Sequence, residues 1–574
     1  MARYSLPRMK RALPWAAALA AVLSSPAPAS ADDLATLSRD FWAWRATTQP
    51  ITRDDVPRVD RPHGWAPDWS PAAVDARRVK LSSLMVRWQA LADPQAPTFA
   101  RVDHSLLGSG LARVRWELDG VRSWRRDPGF YVDQTVSAVV DVLLPPPPFD
   151  GERAKDLVAR LRAFPGTLTA ARSNLAEARA PFARLAIADL DGIGPRLQAA
   201  MDAVAPQLPA GSAPTIRRDT RAAVAALEAY RTWLQPRLAS MPEDVAVGRE
   251  AYLRFLREVA LVPFTPEELL GMGRQELARA IAFQAYEAER GRAAPELPLP
   301  PDPAAQIELA ARGENAIRAF LADRALLTVP ADVPRYGYRA LPPWLAALRG
   351  FGEETDFPGP SRMAEGSTRW IPAPSKDLGF FALSMAQDPR ADTVHEGMPG
   401  HAFQLALGYR HPDEVRRHWY DSGVNEGLGT YAEEMMLQAG LFDASPRTRE
   451  MIYRYLRLRA LRVEVDVQLA LGGFTIAQAA DYLQSAAEVD ARTARDEAAE
   501  FAATPGFAIG YVVGKLQINA LLAAASRQQG QKFRLRDFHD HLWRNGNVPL
   551  SLQRFELLGD RSELEALGDP KRGP

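Results

Sequence analysis

Long stretches of this chain place apolar residues three and four positions apart, and that spacing makes the α-helix its dominant element. "TIRRDTRAAVAALEAYRTWLQPRL", Thr215 to Leu238, is one such stretch. "FTPEELLGMGRQELARAIAFQAYEAER" is another, and it carries its own start signal. Thr265 can cap the helix, Pro266 suits the first turn, and Glu268 completes a capping box. A third, "RTREMIYRYLRLRALRVEVDVQLALGG", ends at Gly472 and Gly473. The next helix is predicted to start at Thr475, with Gln478 as its reciprocal cap. The expectation is a mainly α protein with at most a small β element, placed at "DLGFFALSM", Asp377 to Met385. "EGSTRWIPAPSKD" reads as a loop. Proline-rich breaks at "LLPPPPFD" and "PELPLPPDP" read as surface crossings, because both flanks keep helical character.

The N-terminus reads as a targeting segment. Arg3, Arg8, Lys10 and Arg11 precede the apolar run "ALPWAAALAAVL", and Ala29-Ser30-Ala31 fits a small-x-small cleavage site. Residues 1–31 are therefore expected to be a secretory signal peptide and residues 32–574 a single helical domain. An uncleaved anchor is the alternative, but the apolar run is short for a span and contains Pro14. No later stretch is apolar for long enough to span a bilayer. The protein is expected to be exported, periplasmic or extracellular. Its 70 basic and 70 acidic residues cancel, which argues against nucleic acid as a partner. With no cysteine in 574 residues, any metal site must use His, Asp or Glu.

Histidine is scarce, at eight residues, and two of the eight flank a glutamate in "HEGMPGH". His395 and Glu396 begin the His-Glu-x-x-His pattern of zinc peptidases, but Pro399 stands where the second histidine belongs, and His401 comes two residues late. Residues six apart on a regular helix face directions about 120° apart, so His395 and His401 cannot share one helical face. Pro399 lacks an N–H, and Gly400 permits unusual dihedrals, so a break there could return His401 toward His395. The competing arrangement starts a helix at Pro399, leaves His395 in the preceding loop and packs His401 in the core. Downstream, "GVNEGLGTYAEEM" supplies Glu426 as a candidate third ligand. Two imidazoles and one carboxylate would leave a coordination position open, as catalytic zinc requires. Glu396 could then act as the base that takes a proton from water.

"HEGMPGHAFQ" resembles the His-Glu-x-x-Pro-Gly-His-x-x-Gln signature of a bacterial family catalogued as domain of unknown function 885 (DUF885), which looks like a divergent branch of the gluzincin metallopeptidases. "VGREAYLRFLREVALVPFTPEELLGMGRQEL", "NEGLGTYAEE", "TPGFAIGYVVGKLQI" and "FRLRDFHDHLWRNGNVPLSL" are similar to further segments of that family. The similarity covers about residues 35 to 560. It implies a helical gluzincin-like fold with a deep substrate cleft, zinc on His395, His401 and Glu426, and Tyr511 as the phenol that hydrogen-bonds an oxyanion. Tyr511 reads equally as a core aromatic. Glu433 could orient a ligand histidine, although an exposed helix face is the simpler reading of that position. Phe507 and Leu428-Gly429 depart from the family pattern and put substrate contacts in question. His539 and His541 are not assigned as ligands.

The leading expectation is thus an exported zinc metallopeptidase acting on short peptides, with Glu396 as general base. The alternatives are a zinc amidase or esterase acting on a non-peptide substrate, and a non-catalytic peptide-binding protein with a structural or vestigial metal. The oligomeric state is not legible in the sequence.

Overall fold

The computed structural model describes residues 31–51, 59–419 and 422–568. Of the expected signal peptide only Ala31 falls within this range. The rest lies outside the described residues. No described helix is long and apolar enough to cross a membrane.

Helices form nearly all of the framework. Those that position the site are α1 (Pro266–Arg290), α2 (Pro303–Asp323), α3 (Phe380–Gln387), α4 (His401–Gly408), α5 (Ser422–Ala439), α6 (Pro446–Leu471), α7 (Ile476–Ala487) and α8 (Gly510–Gln529). The capping boxes expected at Thr265/Glu268 and Thr475/Gln478 open α1 and α7, with both reciprocal bonds made. Gly472 ends α6 in the left-handed conformation, at φ 82°, which glycine adopts without steric cost. The stretch read from Thr215 to Leu238 is helical over Ser212–Leu234 and tightens into a 3₁₀ turn over Gln235–Ser240.

The β element lies elsewhere than expected. Asp377 to Met385 does not form a strand, because Phe380 onward coils into α3. The strands are β1 (Tyr336–Ala340), β2 (Thr355–Asp356) and β3 (Ser367–Ile371), and β3 falls inside the segment read as a loop. β3 is the middle strand, parallel to β1 and antiparallel to β2. Its sequence "STRWI" is rich in the β-branched and aromatic residues that suit a pleated surface, and four of its five residues are buried.

Apolar residues gather in several clusters. One runs from Leu37 through the N-terminal helices and takes in Trp370, Trp419 and Phe555. A second surrounds α6 and includes Val394, Phe403, Leu428 and Tyr455. Each fully buried aliphatic side chain in them contributes roughly 1.5–3 kcal/mol. A buried charge cluster joins the helices behind the site. Lys515 on α8 pairs with Glu276 on α1 and, at 3.0 Å, with Glu434 on α5, and Arg279 on α1 also reaches Glu434 at 2.6 Å.

Candidate metal centre

The chain reaches His395 in a widened turn. Thr393–Gly397 is a π-helical turn in which the Met398 N–H donates to the Thr393 carbonyl five residues back, at 2.8 Å. Met398 is then extended, and α4 starts at His401. Gly400 is the residue that makes this break feasible: a Cβ there would lie 1.6 Å from the His395 carbonyl oxygen. The Trp543 indole donates to the Pro399 carbonyl at 2.6 Å and fixes the far side. The break brings the two imidazoles together, with ring centroids 4.7 Å apart. The chain breaks between the two histidines and they converge, as the pairing of Pro399 with Gly400 led one to expect. The competing arrangement is not met: the helix starts at His401 and not at Pro399, and His395 lies in a π turn and not in a loop.

Glu426 completes the cluster. Its Oε2 lies 3.1 Å from Nε2 of His395 and 3.4 Å from Nε2 of His401. Zinc bonded at about 2.0–2.1 Å in a tetrahedral arrangement holds its donor atoms about 3.3 Å apart, so this spacing fits the ion. Two glycines set the approach of α5. A Cβ on Gly429 would meet the His395 ring at 2.7 Å, and one on Gly427 would meet the Gly514 backbone of α8 at 2.7 Å. Gly429 is therefore where α5 makes room for the His395 ring. Leu428 beside it is a core residue.

The acids and imidazoles of the cluster act strongly on one another. Burial alone would raise the Glu426 carboxyl, but the His401 and His395 imidazoles hold it well below the usual range. Burial and Arg459 push the His395 imidazole down. Hydrogen bonds to Glu426 and Glu433 outweigh them and lift it to about 9.

Glu433 is fully buried, which corrects the reading of an exposed helix face. Its Oε1 lies 2.8 Å from Nδ1 of His395, and its other oxygen accepts from Arg459 on α6. This partner fixes the ring so that Nε2 points at the cluster. Nδ1 of His401 is buried with no partner.

Glu396 is half-buried, and one of its carboxylate oxygens lies within 4.8 Å of donor nitrogens of both histidines. Burial raises its carboxyl above the usual value, against the pull of His401 and His395. One turn earlier, Asp392 accepts from the Tyr336 and Tyr338 hydroxyls at 3.1 and 2.6 Å, which ties the π turn to β1. Tyr511, in the first turn of α8, lies nearly parallel to the His395 ring, with centroids 6.3 Å apart. Burial keeps its phenol protonated, well above the usual tyrosine value. The loop before it is held by Asp466, which accepts from the Gly506 and Ala508 N–H groups at 2.9 Å each. Phe507 packs edge-on against Tyr511 at 6.0 Å. His539 serves elsewhere, bridging Tyr431 of α5 and the Leu326 carbonyl at 2.7 Å each. His541 faces a separate small surface pocket with Asp540 and Arg544.

Glu396, His401, Glu426 and Tyr511 line a cavity of about 1500 Å³. Phe357, Phe381, Phe507 and Arg369 share its wall. The sequence reading missed Asp392, Arg459 and Asp466. Glu433 stands seven residues beyond Glu426, two helical turns on, and that spacing was the signal for its position.

The profile of the family described as "Bacterial protein of unknown function (DUF885)" matches residues 59–554, so the chain belongs to that family. Two solved structures share its fold. One, a candidate lipoprotein from Colwellia psychrerythraea, superposes with a TM-score of 0.73 at 18% identity, covering 94% of this chain and 99% of its own. The other, a candidate lipoprotein of unknown function from Shewanella oneidensis, gives a TM-score of 0.68 at 18% identity, covering 92% and 98%. No curated protein matches the chain.

Proposed function

We propose that this member of the DUF885 family is an exported zinc-dependent hydrolase that cleaves short peptides, built on a gluzincin-like site. The observation that carries the reading is one carboxylate oxygen of Glu426 lying 3.1 and 3.4 Å from the Nε2 atoms of two histidines. His395, His401 and Glu426 would hold the ion. Zinc there would supply Lewis acidity, making water a nucleophile near neutral pH.

The chain's own groups then have separate tasks. Glu396, at the cavity surface beside the histidines, accepts a proton from the attacking water and passes it to the leaving amine. Burial raises its carboxyl, which makes it a stronger base than an ordinary glutamate. Tyr511, protonated at working pH, donates to the carbonyl oxygen as negative charge develops there. Glu433 and Arg459 keep His395 oriented. The phenylalanines of the cavity wall exclude water and receive apolar side chains. Export is supported by the charged and apolar N-terminal segment and by the description of both solved relatives as lipoproteins.

The test is hydrolysis of a peptide library by the purified chain, with and without chelator. Chelator-sensitive cleavage supports the reading. A metal-loaded chain that cleaves no peptide overturns it.

A further inference from the structure

Arg369 is a guanidinium of the cavity wall whose surroundings, beside the π turn, ask for a ligand. It stands on the middle strand β3, in register with Tyr338 of β1 and Thr355 of β2. Cross-strand neighbours share a face of the sheet. On that face the Tyr338 hydroxyl holds Asp392, three residues before His395. Arg369 is thereby fixed beside the metal-ligating turn and lines the same cavity as Glu396, His401 and Glu426.

Its donors are largely unassigned. An arginine offers five N–H donors. Nη1 donates to Thr355 Oγ1 at 2.8 Å, and Nε is buried without a partner. Arg369 forms no ion pair with any described carboxylate. Asp392 acts on it only through space, its carboxylate already occupied by two tyrosine hydroxyls, and Glu396 likewise acts from a distance. Arg61 and Arg160 also line the wall and keep buried N–H groups without a partner, but both guanidinium groups stack on Trp65. Other arginines of the wall are engaged. Arg349 pairs with Glu354, Arg362 with Asp356 and Glu365, and Arg492 with Asp496. Arg153 is held by backbone carbonyls of the proline-rich turn at Pro146 and Pro148.

We infer that Arg369 receives a carboxylate of the substrate, so that the cavity selects peptides carrying a carboxylate close to the scissile bond. A planar guanidinium on a rigid strand can hold a carboxylate through two parallel N–H···O bonds, fixing both distance and orientation. The C-terminal carboxylate of a short peptide and an acidic side chain share this chemistry. The inference rests on the peptidase reading and deepens it.

Equilibrium binding tests it in the zinc-loaded full chain carrying Glu396→Gln, where turnover does not interfere. The probes are tetra-alanine with a free C-terminus, the same peptide amidated, and an amidated peptide containing one glutamate. Tetra-alanine with the free carboxylate is expected to bind at least about tenfold more tightly than its amide. Adding Arg369→Gln is expected to abolish that preference. If the amidated glutamate peptide binds as tightly as the free acid, the side chain is an equally good source of the carboxylate. Arg369→Lys keeps the charge but lacks the fork, so it should reduce the preference, and it serves if the glutamine variant does not fold. A free-acid preference that is undiminished in either variant, or is absent from the starting chain, overturns the inference. In the chain retaining Glu396, Arg369→Gln should raise KM for the free acid by more than it raises KM for the amide. An equal fall in kcat on both peptides would mean that Arg369 only balances the charge of Asp392 and Glu396. Failure of hydrolysis would count against the peptidase reading, while the binding preference would still decide the role of Arg369.

Discussion

The carboxylate of Glu433 lies 2.8 Å from Nδ1 of His395, so the first histidine of the cluster is held from behind by a fully buried acid. Removing that partner frees the ring to rotate and leaves Arg459 buried beside it without its carboxylate. Glu433→Gln should weaken zinc binding by about 10- to 100-fold, as is usual for such supporting residues. Competition with a chelator of known affinity measures the change, and an unchanged affinity would remove Glu433 from the site.

Gly400 and Gly429 separate folding from metal binding. A Cβ at Gly400 would sit 1.6 Å from the His395 carbonyl, a backbone contact that nothing flexible can relieve. Gly400→Ala should cost about 3 kcal/mol, at the upper end for overpacking. At Gly429 the atoms nearest the added methyl all belong to the His395 ring, the first at 2.7 Å. Gly429→Ala should therefore cost about 1 kcal/mol of stability while sharply lowering metal affinity. Thermal unfolding and metal titration of the two variants check the contrast.

Without metal, stability should depend on pH through His395. Its folded value, about 9, lies above the ordinary 6.5. The imidazolium is thus favoured by folding, and its contribution is full below pH 6.5 and lost as pH rises through 9. The melting temperature of chelator-treated protein should fall across that window. Zinc replaces the proton on the imidazole, so the loaded protein should lack this loss. A chelated protein that melts at the same temperature at pH 6.5 and pH 9 would contradict the assignment.

Tyr511→Phe should leave zinc binding intact and lower kcat by about 10²- to 10³-fold, as loss of an oxyanion donor does. Steady-state kinetics with metal content measured on the same sample decides it. Full activity would return Tyr511 to the role of a core aromatic.

Much of this was legible in sequence because local rules governed it. The capping boxes at Thr265 and Thr475 and the stop at Gly472 are written in adjacent residues. His395, Glu396, His401 and Glu426 were nameable from residue type and spacing, and the pairing of Pro399 with Gly400 pointed to the break between the histidines. What was not legible depends on partners distant in sequence. β3 has an ordinary strand composition but is stabilised by pairing with residues 336–340 and 355–356, so its loop-like flanks dominated the reading. "DLGFFALSM" has the apolar density of a buried strand and of a buried helix alike, and periodicity cannot separate the two over so short a run. Glu433 looked solvated because its partners, His395 and Arg459, come from two other elements.

The central claim is that His395, His401 and Glu426 form one zinc site that serves Glu396. The most direct measurement is zinc stoichiometry alongside peptide hydrolysis for the wild-type, Glu426→Gln and Glu396→Gln chains. The account predicts equimolar zinc in wild type, little in Glu426→Gln, and equimolar zinc with activity lowered by several orders of magnitude in Glu396→Gln. Undiminished zinc in Glu426→Gln, or wild-type turnover in Glu396→Gln, would contradict it.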